Sequence, residues 1–308
     1  MQIGIIGLDS NVAQNIEKIR SVSEFELIGL YDHNATLALK TAKQFSINYF
    51  NNPADLIAQS SIIDFSAPHP MDIHHAGMAI RSARHLFLEN NFLQNSTQAH
   101  KLMSLAEEAK VKVQVSRSDR FNIVVTKARP YINQPGFIEI RRTLSINRSR
   151  NDFEIIMQLL LQDIDLILSF VNSEVKRIQT RTNYVFSNKA ELINTRIEFD
   201  NGCVASFNIN SLSNINTRKI AFYQENSVIN IDLIEQKLEV LSSEHEANQS
   251  ISKSFVHDNI SVNPTKSEME SFSRCILQNT SPVVGLCDAS QSLLILEEIR
   301  EQISVPNQ

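Results

Sequence analysis

The sequence predicts an α/β fold in two parts: an N-terminal doubly wound parallel sheet, then an α+β domain with a largely antiparallel sheet. Three observations predict it. Short apolar runs alternate with helix-period stretches from Gln2 to Val115, the pattern of a parallel sheet covered on both faces. The signal then changes to closely spaced strand-like runs between Val175 and Val256, with an Asn201-Gly202 hairpin turn among them. A length of 308 residues suits two domains. The change of pattern divides the chain into 1–120 and 121–308.

Taken in order, Gln2-Ile3-Gly4-Ile5-Ile6-Gly7 is a strand ending in glycine, and Val12, Ile16 and Ile19 follow at helical spacing. Phe25 to Tyr31 is a second strand with Asp32 at its end, and Ala35 to Phe45 reads as a helix. Ser61 to Phe65 is a third strand, closed by Pro68 and Pro70. A helix over Asp72–Ser82 leads to a fourth strand, His85–Leu88, and the stretch Glu89-Asn90-Asn91. Asn95 offers a cap for the helix Gln98–Lys110, and Val111–Val115 is a fifth strand. Beyond Arg120-Phe121-Asn122 the sequence predicts a connecting helix, a strand over Phe137–Ile146 and a long helix from Asn151 to Asn172. Strands follow at Leu192–Phe199, Val204–Ile209, Arg218–Tyr223, Val228–Asp232 and Lys237–Leu241, and helices Ser267–Gln278 and Asp288–Ile303 close the chain.

Strand, glycine turn, helix, strand, acid is the order of a Rossmann-type dinucleotide-binding unit. In its G-x-G-x-x-G turn the first glycine makes the bend, the second admits the pyrophosphate and the third lets helix pack on strand. Here the turn reads Gly7-Leu8-Asp9-Ser10-Asn11-Val12, and only the first glycine is present. Asp9 puts a carboxylate at a helix N-terminus that otherwise favours anions; its other use is to cap that helix. Asp32 reads equally as a ribose-binding acid favouring NAD over NADP or as a solvated strand-end residue. Ligands of such sheets bind beyond the carboxyl ends of the strands, which gathers Gly7, Asp9, Ser10, Asn11, Asp32, Ala67, Pro68 and Glu89 as cofactor-site candidates, with His69 beside them.

Several stretches resemble the glucose–fructose oxidoreductase / inositol dehydrogenase (Gfo/Idh/MocA) family. Ile63-Asp64-Phe65-Ser66-Ala67-Pro68 is similar to its third-strand segment, and His85-Leu86-Phe87-Leu88-Glu89 resembles the strand leading to its E-K-P motif. Asp119-Arg120-Phe121-Asn122 and Gln162-Asp163-Ile164-Asp165 resemble the E-R-F-N and H-D-I-D stretches of the branch that includes UDP-N-acetylglucosamine 3-dehydrogenases. Asp200-Asn201-Gly202 and Ile231-Asp232-Leu233 match that branch's N-G hairpin and V-D-L strand. The resemblance implies hydride transfer between a sugar carbon and NAD or NADP, assisted by the E-K-P lysine and an Asp/His pair on the long helix. Those positions fall on Asn90, Gln158 and Gln162, with Asp165 kept. Positions 158, 162 and 165 share one helix face. Amides cannot exchange a proton near neutral pH, and each lost acid or base removes about 10²–10⁴ in rate. Arg120 and Asn122 suit either sugar binding or bracing of the connecting helix. The expectation is a homologue that recognises a sugar or nucleotide sugar with its hydride transfer impaired or lost. The alternative is an active dehydrogenase using Asp165 or His69 as the base.

Composition bounds the rest. A net charge of −5 and pI near 5.9 point away from nucleic acid and anionic membranes as partners. No apolar run approaches the ~20 residues of a membrane span, and the N-terminus has no signal-peptide pattern. Cys203, Cys275 and Cys287 lack metal-ligand or redox-motif spacing, which predicts reduced thiols and a cytoplasmic protein. His74 and His75, adjacent on a helix, do not face one another, so no metal is expected there. The C-terminal sheet is the expected surface for a homo-oligomer.

Overall fold

The computed structural model describes residues 1–67, 69, 71–145, 152–186, 190–244, 249–256 and 263–304. Pro68 and Pro70, together with the expected strand end at Ile146 and helix start at Asn151, lie outside the described residues. The elements run β1 (Gln2–Ile6), α1 (Val12–Arg20), β2 (Glu26–Tyr31), α2 (Ala35–Phe45), β3 (Asn48–Tyr49), α3 (Pro53–Gln59), β4 (Ile62–Phe65), α4 (Asp72–Arg81), β5 (His85–Leu88), α5 (Ser96–Ala109), β6 (Val113–Val115) and α6 (Ile123–Ala128). Then come β7 (Phe137–Ser145), α7 (Asp152–Leu168), β8 (Val175–Asn183), β9 (Leu192–Phe199), β10 (Val204–Asn210), β11 (Leu212–Gln224), β12 (Ser227–Asp232), β13 (Lys237–Glu244), β14 (Gln249–Val256), α8 (Pro264–Leu277) and α9 (Leu286–Ser304). Two compact units result. One takes Met1–Ser118 and Asn263–Leu293; the other takes the described residues within 119–262 and from Leu294 onward.

The first unit is built on a six-stranded parallel sheet in the order β3-β2-β1-β4-β5-β6. The central strand β1 is an apolar run because helices cover both faces: Ile3, Ile5 and Ile6 are all fully buried. Its register sets Ile5 opposite Leu30 on β2 and Asp64 on β4. Ile16 and Ile19 of α1 pack into the core with Leu30, Phe87, Met269 and Phe272. The last two come from α8, and the rings of Phe87 and Phe272 lie 5.8 Å apart. Asparagines cap several helices: Asn34, Asn52, Asn95 and Asn263 accept from the first-turn N–H groups of α2, α3, α5 and α8. The sequence predicts five strands here. The sixth is β3, two residues long, and with α3 it forms a small extra crossover at the sheet edge.

The second unit carries an eight-stranded sheet in the order β14-β13-β12-β11-β7-β10-β9-β8. Its pairings are antiparallel except for β7 with β10. The β9–β10 hairpin turns as expected at Asn201-Gly202, where Gly202 has φ +87° and Asn201 Oδ1 accepts from the Cys203 N–H. α7 buries Ile156, Met157, Leu160, Leu161, Ile164 and Ile167. The predicted connecting helix is short, ending at Ala128 and followed by a single 3-10 turn, Arg129–Tyr131. Among the described residues, no helix is long and apolar enough to cross a membrane.

Candidate functional site

The bend after β1 is where the first unit would receive a phosphate. Gly7 has φ +83°, and a Cβ there would stand 2.5 Å from the Ala67 carbonyl oxygen. Glycine is required on both counts. The N–H groups that follow are already engaged. Leu8 N–H donates to Asp32 Oδ2 at 2.7 Å, and Asn34 N–H donates to Asp32 Oδ1 at 2.7 Å. Both oxygens of the expected ribose acid therefore tie local backbone. Asn11 N–H donates to Asp9 Oδ1 at 2.8 Å. Asp9 thus binds the residue just before α1, and Asn11 makes no side-chain cap of its own. Ser10 is exposed, and Val12, at the third-glycine position, packs against the apolar core. Two turn donors held by carboxylates, and no second or third glycine, make this bend a poor fit for a dinucleotide pyrophosphate as it stands.

At the neighbouring strand ends the rings of His33 and His69 stack with centroids 3.7 Å apart. They follow β2 and β4, the strands flanking β1. Nδ1 of His69 accepts from the Met71 N–H at 3.2 Å. His75 is buried and His74 exposed. The two do not act together; His75 instead joins His33 on Asp72. Pro68 lies outside the described residues.

Glu89, after β5, does not face open solvent. It pairs with Lys18, a buried α1 residue whose ammonium also sits 3.9 Å from Asp64 and 4.7 Å from the Phe87 ring centroid. Burial works against the Lys18 cation, but Asp64 and Glu89 together hold its pKa above the ordinary value. Burial pushes Asp64 up to about 6 despite Lys18. At the lysine position, Asn90 is met by a cation from the next strand end. Arg117 donates from Nη1 to Asn90 Oδ1, to the Asn90 carbonyl at 3.3 Å and to the Ser116 carbonyl at 2.8 Å. Beneath it, fully buried Glu268 of α8 accepts from the Arg117 N–H at 2.6 Å and the Ser116 hydroxyl at 3.0 Å. Burial pushes Glu268 up to about 7. Nothing in the sequence singles out Arg117 beyond its place as a charged residue two positions after the last valine of β6.

In the second unit, Gln158, Gln162 and Asp165 do share a side of α7, but they run from exposed through half-buried to buried. Asp165 is held by Arg120, with Nε to Oδ2 at 2.8 Å and Nη2 to Oδ1 at 2.9 Å. The forked pair fixes both groups. Asn122 accepts from the Val124 N–H and caps α6. A second buried set lies alongside in sequence. Arg142 grips Asp163 through Nε and Nη2, each at 2.7 Å, and Arg218 reaches both Asp163 and Asp119. Burial would raise Asp163, yet Arg218 and Arg142 hold it below the usual carboxylate range. The sequence names Asp163 only within the Gln162–Asp165 stretch and gives it no role, because its partners are far away in sequence.

Comparison with known proteins gives the same frame. Residues 1–117 match the Gfo/Idh/MocA family model, described as an oxidoreductase family with an NAD-binding Rossmann fold. A curated UDP-N-acetylglucosamine 3-dehydrogenase from Acidithiobacillus ferrooxidans is 22% identical over 245 residues, covering 78% of this chain and 76% of its own. A solved structure of that enzyme superposes with a TM-score of 0.88 at 17% identity, covering 98% of this chain and 97% of the other. A levoglucosan dehydrogenase solved with NADH and L-sorbose gives 0.85 at 15% identity, over 99% and 96% of the two chains. Residues 1–117 thus match the Rossmann part of the Gfo/Idh/MocA family, and the chain as a whole resembles a UDP-N-acetylglucosamine 3-dehydrogenase in fold.

Proposed function

We propose that this chain recognises a sugar or nucleotide sugar and that the family's nicotinamide-dependent hydride transfer is impaired or lost. The observation that carries the reading is that the groups that would serve the reaction are either replaced or already engaged. The lysine position is an amide bound by Arg117. The helix positions are Gln158 and Gln162. The retained acid, Asp165, is clasped by Arg120, and His69 accepts a backbone N–H while stacked on His33. The turn that would meet a pyrophosphate has Leu8 and Asn11 N–H groups already donated to carboxylates. Support for the ligand class comes from relatives named for UDP-N-acetylglucosamine and levoglucosan, and from amides and hydroxyls suited to hydrogen-bonding sugar hydroxyls.

The test is calorimetric binding of NAD and NADH to wild type and to the Asp9→Gly, Val12→Gly double variant. The proposal expects no binding by wild type at millimolar cofactor. Gain of binding by the variant would locate the loss in the turn. Micromolar binding by wild type, with turnover of any sugar, would overturn it in favour of an active dehydrogenase. One observation favours that second reading: the Arg117 guanidinium brings positive charge to the lysine position, where it would stabilise a developing alkoxide without exchanging a proton.

Two further parts belong to the proposal. A homo-oligomer would form through the second unit's sheet, where a basin of about 470 Å³ lined by Glu139, Arg141, Lys219, Tyr223 and Glu239 lies open. Light scattering on the full chain would return a monomer mass if that is wrong. The cytoplasm is the proposed compartment, supported by three cysteines that stand as free thiols.

A further inference from the structure

We propose that His33, Asp72 and His75 form a binding site for one divalent first-row transition ion of the zinc class. The site goes beyond the reading above and stands whether or not a nicotinamide binds.

The three side chains come from two elements of the first unit. His33 follows β2 directly after Asp32, and Asp72 and His75 occupy the first turn of α4. The spacing from 72 to 75 puts the two α4 ligands on one helix face. One ligand atom from each of the three lies within 4.8 Å of the others. His33 Nε2 is 3.1 Å and His75 Nδ1 is 3.4 Å from the same oxygen, Asp72 Oδ1. Around a tetrahedral ion with bonds of about 2.0–2.1 Å, neighbouring ligand atoms stand ~3.3 Å apart. The two nitrogen-to-oxygen separations are therefore those such an ion imposes.

These distances also suit N–H···O hydrogen bonds, so the second carboxylate oxygen decides between the readings. Asp72 is fully buried, and its Oδ2 has no hydrogen-bond partner among the described residues. Among the described residues, the ion pairs seen for Asp72 are with the two histidines. A buried carboxylate oxygen left without a partner is an arrangement proteins avoid, and a divalent ion supplies a partner for it. The donor set of two imidazoles and one carboxylate suits zinc, iron, cobalt or nickel rather than magnesium or calcium. Three protein ligands leave a position for water. The His33 side chain is 26% exposed and gives the ion a way in. Its ring is braced by the stacked ring of His69 and the edge of Tyr31, at 3.7 and 5.4 Å between centroids.

The experiment uses the full chain stripped with a chelator, then titrated with Co²⁺ and Zn²⁺ in competition with a chromophoric indicator. The expected result is one equivalent of metal, visible as cobalt d–d absorption bands. His33→Ala, which removes a partly exposed ligand, should weaken binding by at least ~10-fold. Asp72→Asn keeps the side-chain volume and should weaken it as much. His74→Ala, an exposed neighbour, should leave it unchanged. A wild type that takes up no stoichiometric metal at micromolar concentration overturns the proposal. So does equal binding by wild type and His33→Ala, which would place the metal elsewhere.

Discussion

Asp163 in the second unit and Asp72 in the first are both fully buried carboxylates, but their surroundings differ. Asp163 has two guanidinium groups, Arg142 and Arg218, and both of its oxygens accept hydrogen bonds. Asp72 has two imidazoles on one oxygen and nothing on the other among the described residues. The first arrangement is complete, and its chemistry is spent on holding β7, β11 and α7 together. The second is incomplete in hydrogen bonding. Burial alone does not mark a functional acid; unfinished compensation does.

Three measurements would break or sharpen that contrast. The largest effect is expected at Asp163. Asp163→Ala leaves two buried guanidinium groups without their partner and should cost about 3–5 kcal/mol in urea unfolding. A loss under 1 kcal/mol would mean the set is not the brace described. Its pH signature follows from its lowered pKa. The stability it contributes is present above the unfolded carboxylate range and is lost as pH falls toward the folded value.

The first unit should behave in the opposite sense. Glu268 and Asp64 are pushed up to about 7 and about 6, so between pH ~4 and ~7 the folded state holds more protons than the unfolded. Their contribution is whole below the unfolded carboxylate range and declines as pH rises through the folded values. Glu268→Gln should make that decline shallower by on the order of 2 kcal/mol across the window. Parallel pH–stability curves for wild type and variant would refute the raised value. The smallest effects are a baseline common to both units. Asn34→Ala removes the α2 cap and Asn122→Ala the α6 cap, and each should cost about 1 kcal/mol by the same assay. A much larger loss at Asn122 would show that its role exceeds capping.

The two sheets were legible because apolar runs and glycine turns are local signals. Gln2–Ile6 with Gly7, and Asn201-Gly202 between two alternating runs, carry their own structure. The strand β3 was not legible, since two residues at a sheet edge have no period. The candidate site was legible by position only. Asn90, Gln158 and Gln162 could be read as amides where ionisable groups belong, but the partners that define their state could not. Arg117 beside Asn90, Lys18 beside Glu89 and Arg120 around Asp165 are contacts made by the fold, and no spacing rule announces them. His33 is the plainest omission. It stands next to Asp32, yet its meaning depends on Asp72 and His75, which reach it only once α4 is docked.

The return of residues 263–293 to the first unit has a consequence for how the protein is made. A ribosome delivers Met1–Ser118 early, with β1, β4, β5 and α1 in hand, but Met269, Phe272 and Glu268 emerge only after residues 119–262 of the second unit. Until then the surface that α8 will cover, including Phe87 and the Ser116–Arg117 backbone, waits unsealed. The nascent chain therefore carries an open apolar flank through most of its synthesis, a natural foothold for chaperones. A chain cut short before Pro264 should expose that flank permanently, and its fate would be aggregation or degradation rather than a smaller working protein.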